Sequence, residues 1–255
     1  MARTWMKLAA AGAALMMSAP AMSAPARVSA AVAAKAARTP DNVERDAARK
    51  PAELLAFLGL EQGMKVLDPF GGNLYWAEIV APAVGPKGSV TIWEPAQFND
   101  DKAKKAFAAF DAAHPNVSLI SSAFEAPNFA PNAYDFALIN LDYHDVYWTN
   151  AEYKIVRMEP QAWLKTLYAA MKPGAVVGVV DHAAKAGSDP RASVEAMHRI
   201  DPAVVKADFK RAGFVLVGES DMLRNPADDH SIGVFDKRIR GKTDRFVLKF
   251  KKPRK

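Results

Sequence analysis

The chain has 255 residues, 34 Lys and Arg against 28 Asp and Glu, half of its residues apolar, and no cysteine. That composition excludes a disordered, collagen-like or disulfide-stapled chain, and without thiols there is no cysteine nucleophile, zinc finger or dithiol chemistry. The formal charge of +6 is terminal: without Arg3, Lys7 and the five cations of residues 249–255, residues 27–248 carry −1, so no nucleic-acid partner is expected.

Residues 1–26 read as a secretory signal peptide. Arg3 and Lys7 precede an uncharged apolar stretch, 8–17, and small residues then sit two apart at Ala19/Ala21, Ala21/Ser23 and Ala24/Ala26. Cleavage after Ala26 is preferred. The apolar stretch is too short to span a bilayer, so the mature protein is expected in the periplasm, with no stable membrane insertion after processing. Residues 27–40 are rich in alanine and read as a linker or a frayed helix, and residues 41–255 as one folded domain with a basic tail.

Asp41 is expected to cap a helix with Glu44 in its first turn. Pro51 opens a second helix, with Leu54, Leu55 and Leu58 on one face and Gly63 at its end. A short apolar strand, 64–67, is broken by Asp68-Pro69-Phe70-Gly71-Gly72-Asn73, and a helix follows over 75–81. Strand, glycine turn and helix are the opening of a nucleotide-type βαβ unit. Next come a strand over 89–93 ending at Glu94, a helix over 99–113 capped by Asn99, and strands over 116–121 and 135–140. A helix over 160–171 is stopped by Lys172-Pro173-Gly174, and the apolar run 175–180 is a strand covered on both faces. Asp201 and Pro202 start another helix, with Val205 and Phe209 inward. Strands over 214–219 and 245–250 close the chain around a long insertion, 220–244. This alternation predicts an α/β fold: a doubly wound, Rossmann-like, mostly parallel seven-stranded sheet with a C-terminal antiparallel strand pair.

Glycines permit close backbone approach by a nucleoside. An acid at the second strand's end, Glu94, sits 26 residues after Asp68, where it can accept both ribose hydroxyls. Gly63-Met64-Lys65-Val66-Leu67-Asp68, the turn at Val84 to Val90 followed by Glu94, Met171-Lys172-Pro173-Gly174-Ala175 and the terminal strand pair together resemble the class I S-adenosylmethionine-dependent methyltransferases. Asn140 to Asp145, Asp181-His182 and Arg224 to His230 are similar to the bacterial exported "predicted methyltransferase" proteins. The resemblance spans roughly residues 41–252. It implies S-adenosyl-L-methionine as cofactor and a small-molecule or envelope methyl acceptor as partner, with no oligomeric state implied. The cofactor residues it implies are Asp68 at the ammonium, Phe70, Gly71, Gly72 and Asn73 in the loop, and Glu94 at the ribose. Ser122 and Phe124 would meet the adenine, and Asn140 the methionine end. The loop departs from the class pattern, because Phe70, Gly72 and Leu74 stand where three glycines alternate.

Ligands of open α/β sheets bind at the carboxyl ends of the strands, where strands four and five run out into Asn140 to Asp145 and Asp181-His182. Three readings of these dipeptides stand side by side. His144 or His182 is a general base oriented by Asp145 or Asp181; or two His and two Asp hold zinc or iron; or all four are structural. The catalytic candidates are His144, Asp145 and His182, with no metal assigned. Tyr143, Tyr147 and Trp148 are expected to line the acceptor pocket, with Arg224 and His230 reaching over it. His198 and His114 receive no role. A non-catalytic binding module on the same fold is the alternative. The glycine spacing and the two final strands, which lack a helix between them, disfavour a nicotinamide dehydrogenase.

Overall fold

Seven apolar or alternating runs pair into one sheet in the computed structural model, which describes residues 24–254. The strands are β1 (Lys65–Pro69), β2 (Ser89–Pro95), β3 (Val117–Ser122), β4 (Tyr134–Asn140), β5 (Met171–His182), β6 (Val215–Ser220) and β7 (Arg245–Lys251). Their order is β3-β2-β1-β4-β5-β7-β6; β7 runs antiparallel to both neighbours and the other pairings are parallel. The central strands are apolar throughout because helices cover both of their faces: Phe136 to Ile139 and Val177 to Val180 are buried without alternation. On the edge, β6 alternates between exposed and half-buried positions.

The helices are α1 (Ala24–Ala33), α2 (Pro40–Glu44), α3 (Asp46–Arg49), α4 (Pro51–Leu58), α5 (Tyr75–Val84), α6 (Asp101–Asp111), α7 (Pro160–Ala170), α8 (Pro190–Met197) and α9 (Pro202–Arg211). Two apolar cores result. One joins α1, α4 and α5 to the sheet through Val28, Leu55, Ile79 and Val90. The other joins α7 and α9 to the opposite face through Trp93, Trp163, Phe209 and Phe250.

Several local expectations are corrected. The alanine-rich segment is a packed helix rather than a linker or a frayed one: its small side chains let α1 lie close on α5, burying Val28 and Ala31, and Arg38 behind it pairs with Asp46 at 2.7 Å. Asp41 lies inside α2 rather than capping it, because Thr39 takes the preceding position and its hydroxyl donates to Glu78. Gly59, in the left-handed region at φ 81°, ends α4 four residues before Gly63. The cap of α6 is Asp100, which accepts from the Ala103 amide at 2.7 Å, and not Asn99. Helix α8 was not anticipated, although its Asp189-Pro190 start repeats the Asp201-Pro202 signal of α9.

The signal-peptide reading falls on residues outside those described as far as Ser23; Ala24 to Ala26 are the first turn of α1. Among the described residues, no helix is long and apolar enough to cross a membrane. Strand order reverses between β1 and β4, and the crevice at their carboxyl ends is where this architecture receives ligands.

Candidate functional site

The loop after β1 is held by its side chains as much as by glycine. Phe70 and Leu74 adopt φ of 61° and 62°, a left-handed conformation that disfavours any residue with a Cβ by about 1–2 kcal/mol. An apolar anchor offsets that strain at Phe70: its ring lies 4.9 Å from Trp93, 5.5 Å from Phe124 and 6.0 Å, stacked, from Trp163. The Phe70 and Phe124 side chains are therefore part of the core. Ser122 is also occupied, accepting from the Trp93 indole at 3.0 Å and the Asn128 amide at 3.2 Å. The Asn73 side chain accepts from the Tyr75 amide at 3.0 Å and starts α5.

Gly71 and Gly72 leave room for two of the chain's own carboxylates, which lie directly on their backbone. A Cβ on Gly71 would sit 2.4 Å from Asp68 Oδ2, and one on Gly72 2.4 Å from the Glu94 carboxyl carbon. Glu94 accepts from the Gly72 amide at 2.9 Å. Asp68 is buried, and its Oδ2 has no hydrogen-bond partner. Burial, reinforced by the charge of Glu94, pushes the Asp68 carboxyl up to about 8. Burial pushes Glu94 up to about 7 against the stabilising Gly72 amide.

Arg49, at the end of α3, lies within electrostatic reach of Asp68, a placement the sequence reading missed because no local motif marks it. Its guanidinium lies 4.2 Å over the Tyr75 ring, and its buried Nη1 has no partner. Burial lowers the Arg49 pKa, and the charges of Asp142 and Asp68 partly oppose this. Beside Glu94, a hollow bounded by Gly72, Leu74, Asn99, Phe107 and Leu119 holds about 10 Å³, the room of at most one water.

A larger cavity, about 810 Å³, opens at the ends of β4 and β5. Arg49, Asp142, His182, Arg245, Trp148 and Phe235 are among its walls. Beyond Asn140, which is buried at the end of β4, the backbone turns at Leu141 (φ 68°) into a short 3-10 turn, Tyr143–Tyr147. Tyr143 and Tyr147 do not line the cavity. Their hydroxyls both donate to Asp208 of α9, at 2.8 and 2.5 Å. That anchor turns His144 and Asp145 together toward the cavity, which two adjacent residues of an extended strand could not achieve. Trp148 lines the cavity.

Asp181 is fully buried and organises the histidines. It accepts from His144 Nδ1 and the His144 amide, both at 2.8 Å, and from the His182 amide at 2.7 Å. Burial opposes charge on His144, but the carboxylates of Asp181 and Asp145 outweigh it and hold the imidazole up at about 9. His182 goes the other way: burial and the neighbouring His144 push it well below its usual value. Its Nδ1 is hydrogen-bonded to Thr243 Oγ1 at 2.7 Å. His182 is thus the neutral imidazole on the cavity wall, while His144 keeps its proton at neutral pH.

His198 joins this group from a distance. It ends α8 at φ 51°, and the next turn is tied to β5 by the Ala183–Ile200 bridge. Its Nδ1 comes within 3.3 Å of His144 Nε2 and 3.6 Å of Asp145 Oδ1. Arg224 and His230 do not reach over the cavity. Both are bonded to Asp244, at 2.8 and 2.9 Å. Val234 and Phe235 are the insertion residues that line it.

No family model and no curated protein matches the chain. Solved structures do. A SAM-dependent methyltransferase from Aquifex aeolicus aligns at 17% identity with a TM-score of 0.56, covering 89% of this chain and 98% of that one. The Burkholderia thailandensis 1,6-didemethyltoxoflavin-N1-methyltransferase, solved with 1,6-didemethyltoxoflavin and S-adenosylhomocysteine bound, aligns at 16% identity with a TM-score of 0.54 over 93% of each chain. The (4+2)-cyclase SpnF aligns at 15% with a TM-score of 0.55, over 81% of this chain and 82% of that one. At such identities the likeness is one of fold, and the cyclase shows that the fold hosts more than one chemistry. The chain has the fold of the class I SAM-dependent methyltransferases.

Proposed function

We propose that the protein is an S-adenosylmethionine-dependent methyltransferase. The observation that carries this reading is the pair of buried atoms without hydrogen-bond partners, Asp68 Oδ2 and Arg49 Nη1, whose groups interact electrostatically, beside Glu94 at the end of β2. An α-amino acid needs one anion and one cation, a ribose needs an acceptor of two hydroxyl hydrogens, and a sulfonium favours nearby carboxylates. Asp68 takes the ammonium, Arg49 the carboxylate and Glu94 the ribose. For Glu94 to do so, the 10 Å³ hollow widens by movement of Leu74 and release of the Gly72 amide. When bound, the cofactor supplies an electrophilic methyl group for in-line displacement. The chain's residues position the acceptor against it, exclude water and, through the neutral His182, accept a proton where the acceptor carries one.

Calorimetric titration with S-adenosylmethionine, S-adenosylhomocysteine and NAD tests this. The two sulfur nucleosides are expected to bind and NAD not to. Glu94→Ala is expected to weaken the nucleosides by about 1–3 kcal/mol, as loss of a charged hydrogen-bond acceptor does. Because Asp68 and Glu94 are held up at about 8 and about 7, both lose protons as the pH rises from 6 to 8.5. Affinity for the cationic cofactor should rise over that window. A flat profile, or an unchanged Glu94→Ala, would contradict the placement. Binding with no transfer to any acceptor in an envelope extract would indicate the non-catalytic module instead.

We also read the chain as exported to the periplasm, acting on a small-molecule or envelope acceptor. Support comes from the charged start, apolar stretch and small residues of 1–26. A cut after Ser23 keeps every described residue of α1, whereas a cut after Ala26 removes three of them. The intact mass of the protein from periplasmic extract should match a start at Ala24; a full-length mass would refute export.

A further inference from the structure

We propose that His144, Asp145 and His198 form a three-ligand site for a divalent transition-metal ion of the zinc or ferrous type, with its open positions turned to the 810 Å³ cavity. The three candidate ligand atoms form a compact triangle. His144 Nε2 is 3.2 Å from Asp145 Oδ1, His198 Nδ1 is 3.3 Å from His144 Nε2, and His198 Nδ1 is 3.6 Å from Asp145 Oδ1. Ligands about 2.1 Å from one ion stand about 3.0 Å apart when octahedral and about 3.4 Å apart when tetrahedral. The observed edges lie around the tetrahedral value and all exceed the octahedral one, and a triangle of this size leaves one point within bonding range of all three atoms.

Hydrogen bonding singles out the same point. Asp181 accepts from His144 Nδ1, so the lone pair a metal ion would take is on Nε2, where the ion displaces the proton the ring carries at neutral pH. That lone pair faces Asp145 Oδ1, a buried oxygen with no hydrogen-bond partner. Two lone pairs at 3.2 Å require a proton or a cation between them. A proton needs only those two atoms, and the approach of His198 as a third donor is what a cation needs. The Asp181–His144 contact is also the carboxylate–histidine support that metal-bound imidazoles commonly receive.

Two histidines and one carboxylate suit zinc or ferrous iron and leave coordination positions open. All three residues line the cavity, so an oxygen donor there, a hydroxyl or a carboxylate, would complete the coordination. The convergent set differs from the two His and two Asp considered from sequence: His182 is turned to Thr243, and both Asp181 oxygens are already bonded.

The test uses the whole chain, dialysed against chelator and titrated with Zn²⁺ alone and with Co²⁺ alone in the absence of nucleoside. One equivalent is expected to bind, with visible Co²⁺ absorption from imidazole ligation. His198→Ala and Asp145→Asn should each weaken binding about 100-fold or more, and Asp181→Asn about 10–100-fold. His114→Ala, whose ring stacks on Phe110 at 4.0 Å away from the cavity, should change nothing. Circular dichroism confirms that each variant is folded, and His198→Ala, at a partly exposed position, is the variant least dependent on the core. No stoichiometric binding by the folded wild type overturns the proposal, as does binding that survives both His198→Ala and Asp145→Asn. Since no nucleoside is present, neither result bears on S-adenosylmethionine binding.

Discussion

Asp208→Ala is expected to lower the unfolding free energy by about 3–5 kcal/mol. Asp208 is fully buried in α9, accepts from the hydroxyls of Tyr143 and Tyr147, and pairs with Arg211. Removing it strands two hydroxyls in an apolar setting, at about 1–3 kcal/mol each. The loss reaches the site, because those tyrosines fix the turn that aims His144 and Asp145 into the cavity. Urea unfolding measures the change. The same substitution in a Tyr143→Phe, Tyr147→Phe background should cost less, since the donors it would strand are gone. A loss below about 1 kcal/mol in the wild-type background would mean that Asp208 does not anchor the turn.

Arg199→Leu is expected to be comparably severe, about 3–5 kcal/mol, or a fall of about 2–4 °C in Tm for each kcal/mol. Arg199 is fully buried; it donates to the Ile232 and Ala183 carbonyls at 3.0 and 3.1 Å and pairs with Asp228 at 2.9 Å. Asp228 in turn accepts from the Asp244 amide at 2.7 Å, and Asp244 holds Arg224 and His230. One guanidinium thus ties the 220–244 insertion to β5. Leucine fills much of the volume but leaves a buried carboxylate without its counter-charge and two carbonyls unpaired. The insertion should become sensitive to limited proteolysis, and Phe235 should leave the cavity wall. Unaltered Tm and digestion would show that the insertion is held by its apolar contacts.

What could be read from sequence follows physical lines. Strand–helix alternation, the Asp-Pro helix starts, the glycine turn after Asp68 and the acid at Glu94 are local signals, and the sheet follows from them. The packing of α1 escaped because alanine-rich segments show little apolar periodicity, and only the closeness of α5 reveals that Val28 and Ala31 are buried. Phe70 and Phe124 were placed on the cofactor by position in a motif, whereas the structure uses their size to fill a core with Trp93 and Trp163. Tyr143, Tyr147, Arg224 and His230 are drawn away from the cavity by Asp208 and Asp244, partners far along the chain. Arg49 and His198 arrive from helices with no motif of their own. Their roles depend on long-range packing, which no window of sequence reports.

A crystal structure of the protein with S-adenosylhomocysteine tests the central claim most directly. The account predicts the ribose hydroxyls on Glu94, freed from the Gly72 amide, with Leu74 displaced and the amino-acid end held between Asp68 and Arg49. A nucleoside seated elsewhere, or a complex in which Glu94 stays on Gly72 and the hollow stays closed, would contradict it.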